Sequence, residues 1–198
     1  LEERCSGCRP DQPGEQPGEY ILNAPHDAKN LRAQFRVAWD DVALYLFAQV
    51  EDDEIVALDL TNPEQQDGVE LLLDGRADGT KGYGPDDHHL FIGALGKNVF
   101  AKNPSDLGSS DNVTVTGLKE QACYFVQVRL TWFYVMGLRP HTPAAGNTYG
   151  FTIAVNDWDT SPASDGGKRI QRQNQLFWVQ PGFDYSFNTS QFAKLTLR

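Results

Sequence analysis

At 198 residues, 40% of them hydrophobic, the chain is long enough to bury one sizeable core. Its 17 basic against 27 acidic residues leave a formal charge of −10, which argues against nucleic acid and anionic membrane surfaces as partners. No apolar run approaches the roughly 20 residues of a membrane helix.

Residues 1–30 are rich in Pro, Gly and Glu and read as an irregular leader or linker. They start without Met or a signal-peptide pattern, as a mature product or an excised domain would. Cys5 and Cys8 lack the following His of a haem-attachment motif, because Arg9 stands there, and they lack the second ligand pair of a zinc site. A local disulfide or two thiols remain open. Residues 31–198 then read as one β-sandwich.

Ala33, Phe35, Val37 and Trp39 alternate with polar neighbours, predicting a strand that turns at Asp40-Asp41. Leu44 to Val50 returns, apolar on both faces. In the next strand Val69, Leu71 and Leu73 share one face and Glu70, Leu72 and Asp74 the other. Gly75 to Gly84 is a loop; His89–Leu95 and Asn98–Lys102 are short strands, with His88 and His89 on opposite faces and at least one exposed. Val113–Val115 pairs with Tyr124–Leu130, and Cys123 begins the latter as a buried thiol. Trp132–Leu138 is a short helical turn, Phe151–Val155 a strand, 160–170 a polar loop, and Leu176–Val179 and Phe192–Leu197 the last strands. Trp39, Trp132 and Trp178 fall at core positions. Many short strands and little helix make the fold class all-β: an antiparallel β-sandwich of jelly-roll or immunoglobulin-like layers.

Two acidic motifs stand at strand ends: Asp67-Gly68-Val69-Glu70 with Asp74, and Asn156-Asp157-Trp158-Asp159. Sugars offer C–H faces to aromatic rings and hydroxyls to polar groups. The candidate carbohydrate-binding residues are therefore Glu70, Trp158 (in a loop-like acidic context), Tyr185 and Phe187. A carboxylate in mid-strand, as Glu70 is, either is paired beneath the sheet or lines a concave surface. Trp158 either folds over the sandwich edge or serves as a stacking platform. Asp74, Asp86 and Asp87, with Asp78, surround one loop as candidate calcium ligands; Asp157, Asp159 and Asp165 surround another. Solvated turn aspartates are the alternative. No nucleophile elbow, zinc-protease motif or phosphate loop is present, so the chain reads as a binding domain, not an enzyme.

The stretch from Val37 to Asp53, then Gln66–Asp74 with Tyr83 and Asp86-Asp87, Tyr124–Leu130, Trp132–Pro140, Gly150–Asp157 and Ser190–Leu197 resembles the family 9 carbohydrate-binding modules. That resemblance implies an all-β sandwich used outside the cytoplasm, secreted or periplasmic, often attached to xylanases, with a terminal glucan or xylan sugar held between two tryptophans and with bound calcium. Glu64 stands where the family's first clamping tryptophan falls, and Phe91 where its arginine falls. Only Glu70 keeps a matching polar position. The leading expectation is a non-catalytic module that tethers or senses a poly- or oligosaccharide, within a larger parent chain, with calcium as a structural ion. The rivals are a sensor or interaction domain of a membrane receptor that has lost the sugar site, and a haem-binding electron-transfer sandwich with Met136 as ligand.

Overall fold

A computed structural model describes residues 19–20, 30–58, 63–96, 99–101, 111–179, 184–185 and 188–198. In chain order the strands are β1 (Glu19–Tyr20), β2 (Leu31–Trp39), β3 (Ala43–Asp52), β4 (Gly68–Asp74), β5 (Asp87–Gly93), β6 (Val99–Ala101), β7 (Val113–Glu120), β8 (Cys123–Thr131), β9 (Thr148–Pro162), β10 (Lys168–Phe177) and β11 (Ala193–Thr196), with one short helix, α1 (Trp132–Val135). They form a four-stranded sheet, β2-β3-β8-β7, and a seven-stranded sheet, β1-β10-β9-β4-β5-β6, in which β11 also pairs with β9. Every pairing is antiparallel. The expected all-β sandwich is the architecture.

The core lies between the sheets. Leu44, Leu46, Ala48 and Val50 of one sheet meet Val69, Leu71, Leu73, Leu90 and Ile92 of the other. All seven residues of β4 are buried, because this strand is central and covered on both faces. Trp132 and Trp178 pack where the alternation places them: Trp132 lies against Tyr149 at 5.1 Å, and Trp178 lies edge-on to Phe35 at 5.3 Å. Helix α1 is a single capped turn. Thr131 accepts a hydrogen bond from the Tyr134 N–H at 3.2 Å, and Gly137 at φ 67° ends the turn. Met136, offered above as a haem ligand, is the C-cap of this turn and packs against the core.

Four features differ from expectation. The polar stretch 160–170 is not one loop: β9 runs to Pro162 and β10 starts at Lys168, so only the tip of a long hairpin is irregular. The exposed polar residues of that hairpin carry no apolar alternation, and ladder pairing alone holds them in strand form. Trp158 therefore sits within a strand. Tyr20 and Glu19 pair with β10 inside the stretch read as leader. Both histidines are buried, at 1% and 2% exposure: His88 stacks on Tyr134 on the core side, while His89 lies on the opposite face, as alternation requires.

The sheets approach closely where the turn after β5 crosses β7. Gly96 (φ 64°) and Gly117 meet there, and a β-carbon on Gly117 would lie 2.2 Å from the Gly96 nitrogen. Backbone, not a yielding side chain, occupies that space. Gly117→Ala is expected to cost about 1–3 kcal/mol in urea unfolding, as overpacking does. An unchanged midpoint would contradict this contact.

Candidate functional site

The outer face of the seven-stranded sheet carries an unusual polar lattice. Register places Glu70 of β4 between Phe91 of β5 and Ala154 of β9, and puts Asn156 of β9 opposite Gln175 of β10. Val69, Leu71 and Leu73 point into the core, so Glu70 points away from it. His89, Phe91, Asn156, Gln175 and Phe177 share that outward face.

Glu70 is buried, and its carboxylate is fully engaged. Oε1 accepts hydrogen bonds from Asn156 Nδ2 at 2.7 Å and Gln175 Nε2 at 2.8 Å. Oε2 lies 2.7 Å from His89 Nε2. Of the alternatives open for this carboxylate, pairing is the one realised, and it meets the cost of burying a charge. The network also fixes two amides. With Nδ2 committed to Glu70, the Asn156 Oδ1 faces Arg172, whose Nη1 lies 3.4 Å away.

Aromatic rings surround the lattice. Phe91 stacks on His89 at 4.3 Å. Tyr185 lies 5.7 Å from His89 and 5.2 Å from Phe177, is half-buried, and brings its hydroxyl to 3.5 Å from Gln175 Nε2. Tyr83 donates its hydroxyl to the Tyr185 carbonyl at 2.9 Å, anchoring that segment. Trp158 stands two residues beyond Asn156 on the same side of β9, half-buried, with its indole N–H lacking a partner among the described residues.

Of the residues singled out from sequence, Glu70 and Tyr185 are brought together, Trp158 borders them, and Phe187 lies outside the described residues. His89, Asn156, Gln175 and Arg172 were missed. The available signal was period-two alternation: each lies on the strand face opposite the apolar core set, but their convergence needs the register of four strands.

The acidic residues form two clusters. Asp74, Asp86 and Asp87 do lie together, with one oxygen from each within 4.8 Å of the others. The protein's own donors occupy most of them. Asp74 accepts from the Gly79 N–H at 2.9 Å and Thr189 Oγ1 at 3.2 Å. Asp86 pairs with the Arg76 guanidinium and also accepts from its N–H. Burial works against that charge, but Arg76 holds the Asp86 carboxyl below its usual range. Burial pushes Asp87 up to about 6.

The second cluster is different. Asp52 ends β3 in one sheet, and Asp157 and Asp159 project from β9 in the other, again with their oxygens within 4.8 Å of one another. Asp52 Oδ2, Asp157 Oδ1 and Asp159 Oδ1 are buried and have no hydrogen-bond partner among the described residues. Burial first, and then the neighbouring Asp157 charge, raise Asp52 to about 8 and Asp159 to about 6; Asp157 is also raised by burial. Asp67 lies beside them, raised to about 9 by burial and Asp52, and accepts the N–H groups of Trp158 at 2.6 Å and Val56 at 2.5 Å. Three converging carboxylate oxygens left without donors are a donor set suited to a hard divalent cation such as calcium. The residues present fit the ion that the family resemblance implies.

The family described as "Carbohydrate family 9 binding domain-like" matches residues 14–198. This chain belongs to that family. Membership makes it a non-catalytic binding domain and not an enzyme. Among curated relatives, endo-1,4-beta-xylanase A of Thermoanaerobacterium saccharolyticum is 28% identical over 162 residues, covering 82% of this chain and 12% of that protein. Endo-1,4-beta-xylanase A of Thermotoga maritima is 27% identical over 169 residues, covering 85% of this chain and 14% of that protein. The chain thus spans about one-eighth of the length of these relatives. Two solved structures share the fold of this family 9 binding domain. A family 9 module from Caldicellulosiruptor kristjanssonii in complex with cellotriose superposes with TM-score 0.71 at 24% identity, over 92% of this chain and 80% of that one. One from the same organism in complex with glucose gives 0.67 at 23%, over 91% and 84%.

Proposed function

We propose that this family 9 binding domain holds a glycan on the outer face of its seven-stranded sheet, as an accessory, extracytoplasmic module of a longer polysaccharide-acting protein. The observation that carries this reading is the Glu70–His89–Asn156–Gln175 lattice beside Tyr185. On the side of the sheet away from the core, the fully engaged Glu70 carboxylate fixes the buried Asn156 and Gln175 amides and, through Asn156 Oδ1, the direction of the half-buried Arg172 guanidinium. Glu70 is then a positioning residue. It orients Asn156 and Gln175 and, through Asn156, the half-buried Arg172, which meets sugar hydroxyls while the Tyr185 and Trp158 rings lie against the sugar's C–H surface. The likeness to modules solved with cellotriose and glucose, and to xylanases, supports a glucan or xylan ligand.

The same reading gives the domain a structural cation. Asp52, Asp157 and Asp159 would hold calcium, which neutralises their charge and ties β3 of one sheet to β9 of the other. The Asp74–Asp86–Asp87 group, already bonded to Arg76, Gly79 and Thr189, is the weaker candidate.

Calorimetric titration with glucose, cellotriose and xylotriose, together with pull-down on insoluble glucan and xylan, tests the glycan reading. Binding to at least one of these is expected, and silence across the whole set would overturn it.

A further inference from the structure

The opposite face of the sandwich, the outside of the four-stranded sheet, has a site chemistry of its own. An open groove of about 420 Å³ runs over it. Cross-strand register sets Arg36 beside Phe47 and Gln127 in one row, and Tyr45 beside Arg129 in the next. Phe47 and Phe125 stack at 6.0 Å and 30°, so aromatic surface extends across β3 and β8. These rings are half-buried, and Arg36, Gln127, Thr114 and Thr116 stand exposed among them.

The charge on this face runs against the rest of the molecule. Arg36 makes no ion pair or hydrogen bond among the described residues, and Arg129 spends only one donor, on the Asp111 carbonyl at 3.2 Å. The nearby Asp40 carboxylate is occupied at the sheet's end by the N–H groups of Val42 and Ala43 and by the Tyr45 hydroxyl at 2.8 Å. The unpaired guanidinium of Arg36 and the remaining donors of Arg129 therefore flank an aromatic floor, in a chain whose net charge is −10. Arginine forks match carboxylates two-pronged, and aromatic rings interleaved with hydroxyl and amide groups match pyranose faces and edges. We propose that this face is a second glycan site, separate from the Glu70 lattice, that takes the uronic-acid-bearing segment of an acidic polysaccharide. A nucleic acid is held by Lys and Arg contacts to many successive phosphates, and the groove offers only Arg36 and Arg129. A protein interface would call for a larger apolar centre than these polar-interleaved rows provide.

Hexagalacturonate, a homogeneous uronic-acid oligomer, serves as the probe in calorimetric titration of the full chain. Binding that weakens with added NaCl is expected. The Arg36→Gln/Arg129→Gln double variant should lose tenfold or more, with cellotriose binding unchanged. Phe47→Ala, checked for native circular dichroism, should also weaken it, and excess cellotriose should not displace it. The proposal is overturned if hexagalacturonate does not bind, if the double variant binds equally well, if cellotriose displaces it (which would move the ligand to the Glu70 face), or if sedimentation shows a second copy of the chain covering this groove. Silence of glucose, cellotriose, xylotriose and the insoluble glycans together, with hexagalacturonate still bound, would sink the first site and leave this one standing.

Discussion

Calcium added to chelator-treated protein is expected to raise the thermal midpoint by about 5–10 °C. At a hundredfold excess over the dissociation constant, a ligand bound only by the folded state adds about 2.7 kcal/mol, and each kcal/mol moves the midpoint of a domain this size by about 2–4 °C. The physical reason is the cluster formed by Asp52, Asp157 and Asp159, whose buried oxygens repel one another and lack donors. Asp159→Asn is the informative variant, because its buried oxygen makes no hydrogen bond that the substitution would remove; the calcium shift should fall to less than half. The pH dependence follows from the raised carboxyls. In chelator, the folded state holds protons on Asp52 up to about 8, where the unfolded chain has already released them near the usual 3.8. The folded state binds more protons in that window, so stability without the ion falls as pH rises from about 4 to 8. Calcium competes with those protons, so its effect should grow over the same range. A midpoint indifferent to calcium at pH 7 would contradict the assignment.

Glu70→Ala should be severe in two readouts. It strips the acceptor from Asn156 Nδ2, Gln175 Nε2 and His89 Nε2 at once. Each buried donor left unsatisfied costs about 1–3 kcal/mol, so a loss of several kcal/mol in urea unfolding is expected. Glu70→Gln keeps the shape and one oxygen, and is expected to stay folded. Its amide meets other amide donors, so Asn156 and Gln175 lose their fixed orientation. Glycan affinity should drop at least tenfold even where the variant remains native by circular dichroism. Retained affinity in a folded Glu70→Gln protein would remove the orienting role given to this carboxylate.

Alternation made much of the sandwich legible. β2 packs Ala33, Phe35, Val37 and Trp39 against the core as their alternation places them, and the outward placement of Glu70 followed from Val69, Leu71 and Leu73 pointing in. The β9–β10 hairpin was hidden, because Lys168 and Arg169 are exposed and polar, the single exposed Ile170 sets up no alternation, and the hairpin holds its form by ladder pairing. The site was only half legible for a related reason. Glu70 and Tyr185 stand out as residue types, but Asn156 and Gln175 look like ordinary polar strand residues until register sets them side by side. The Asp52–Asp157–Asp159 cluster joins residues more than a hundred positions apart across two sheets, so the loop carrying Asp74, Asp86 and Asp87 drew attention by sequence proximity. There Arg76 and backbone N–H groups already satisfy most of the oxygens.

The most direct test of where the glycan sits is an amide-resolved NMR titration of the intact chain with cellotriose. The side-chain amides of Asn156 and Gln175, and backbone amides of β4, β5, β9 and β10 around them, should shift progressively while β2, β3, β7 and β8 stay still. Shifts confined to the four-stranded sheet, or no shifts at saturating sugar, would contradict a binding face built on Glu70.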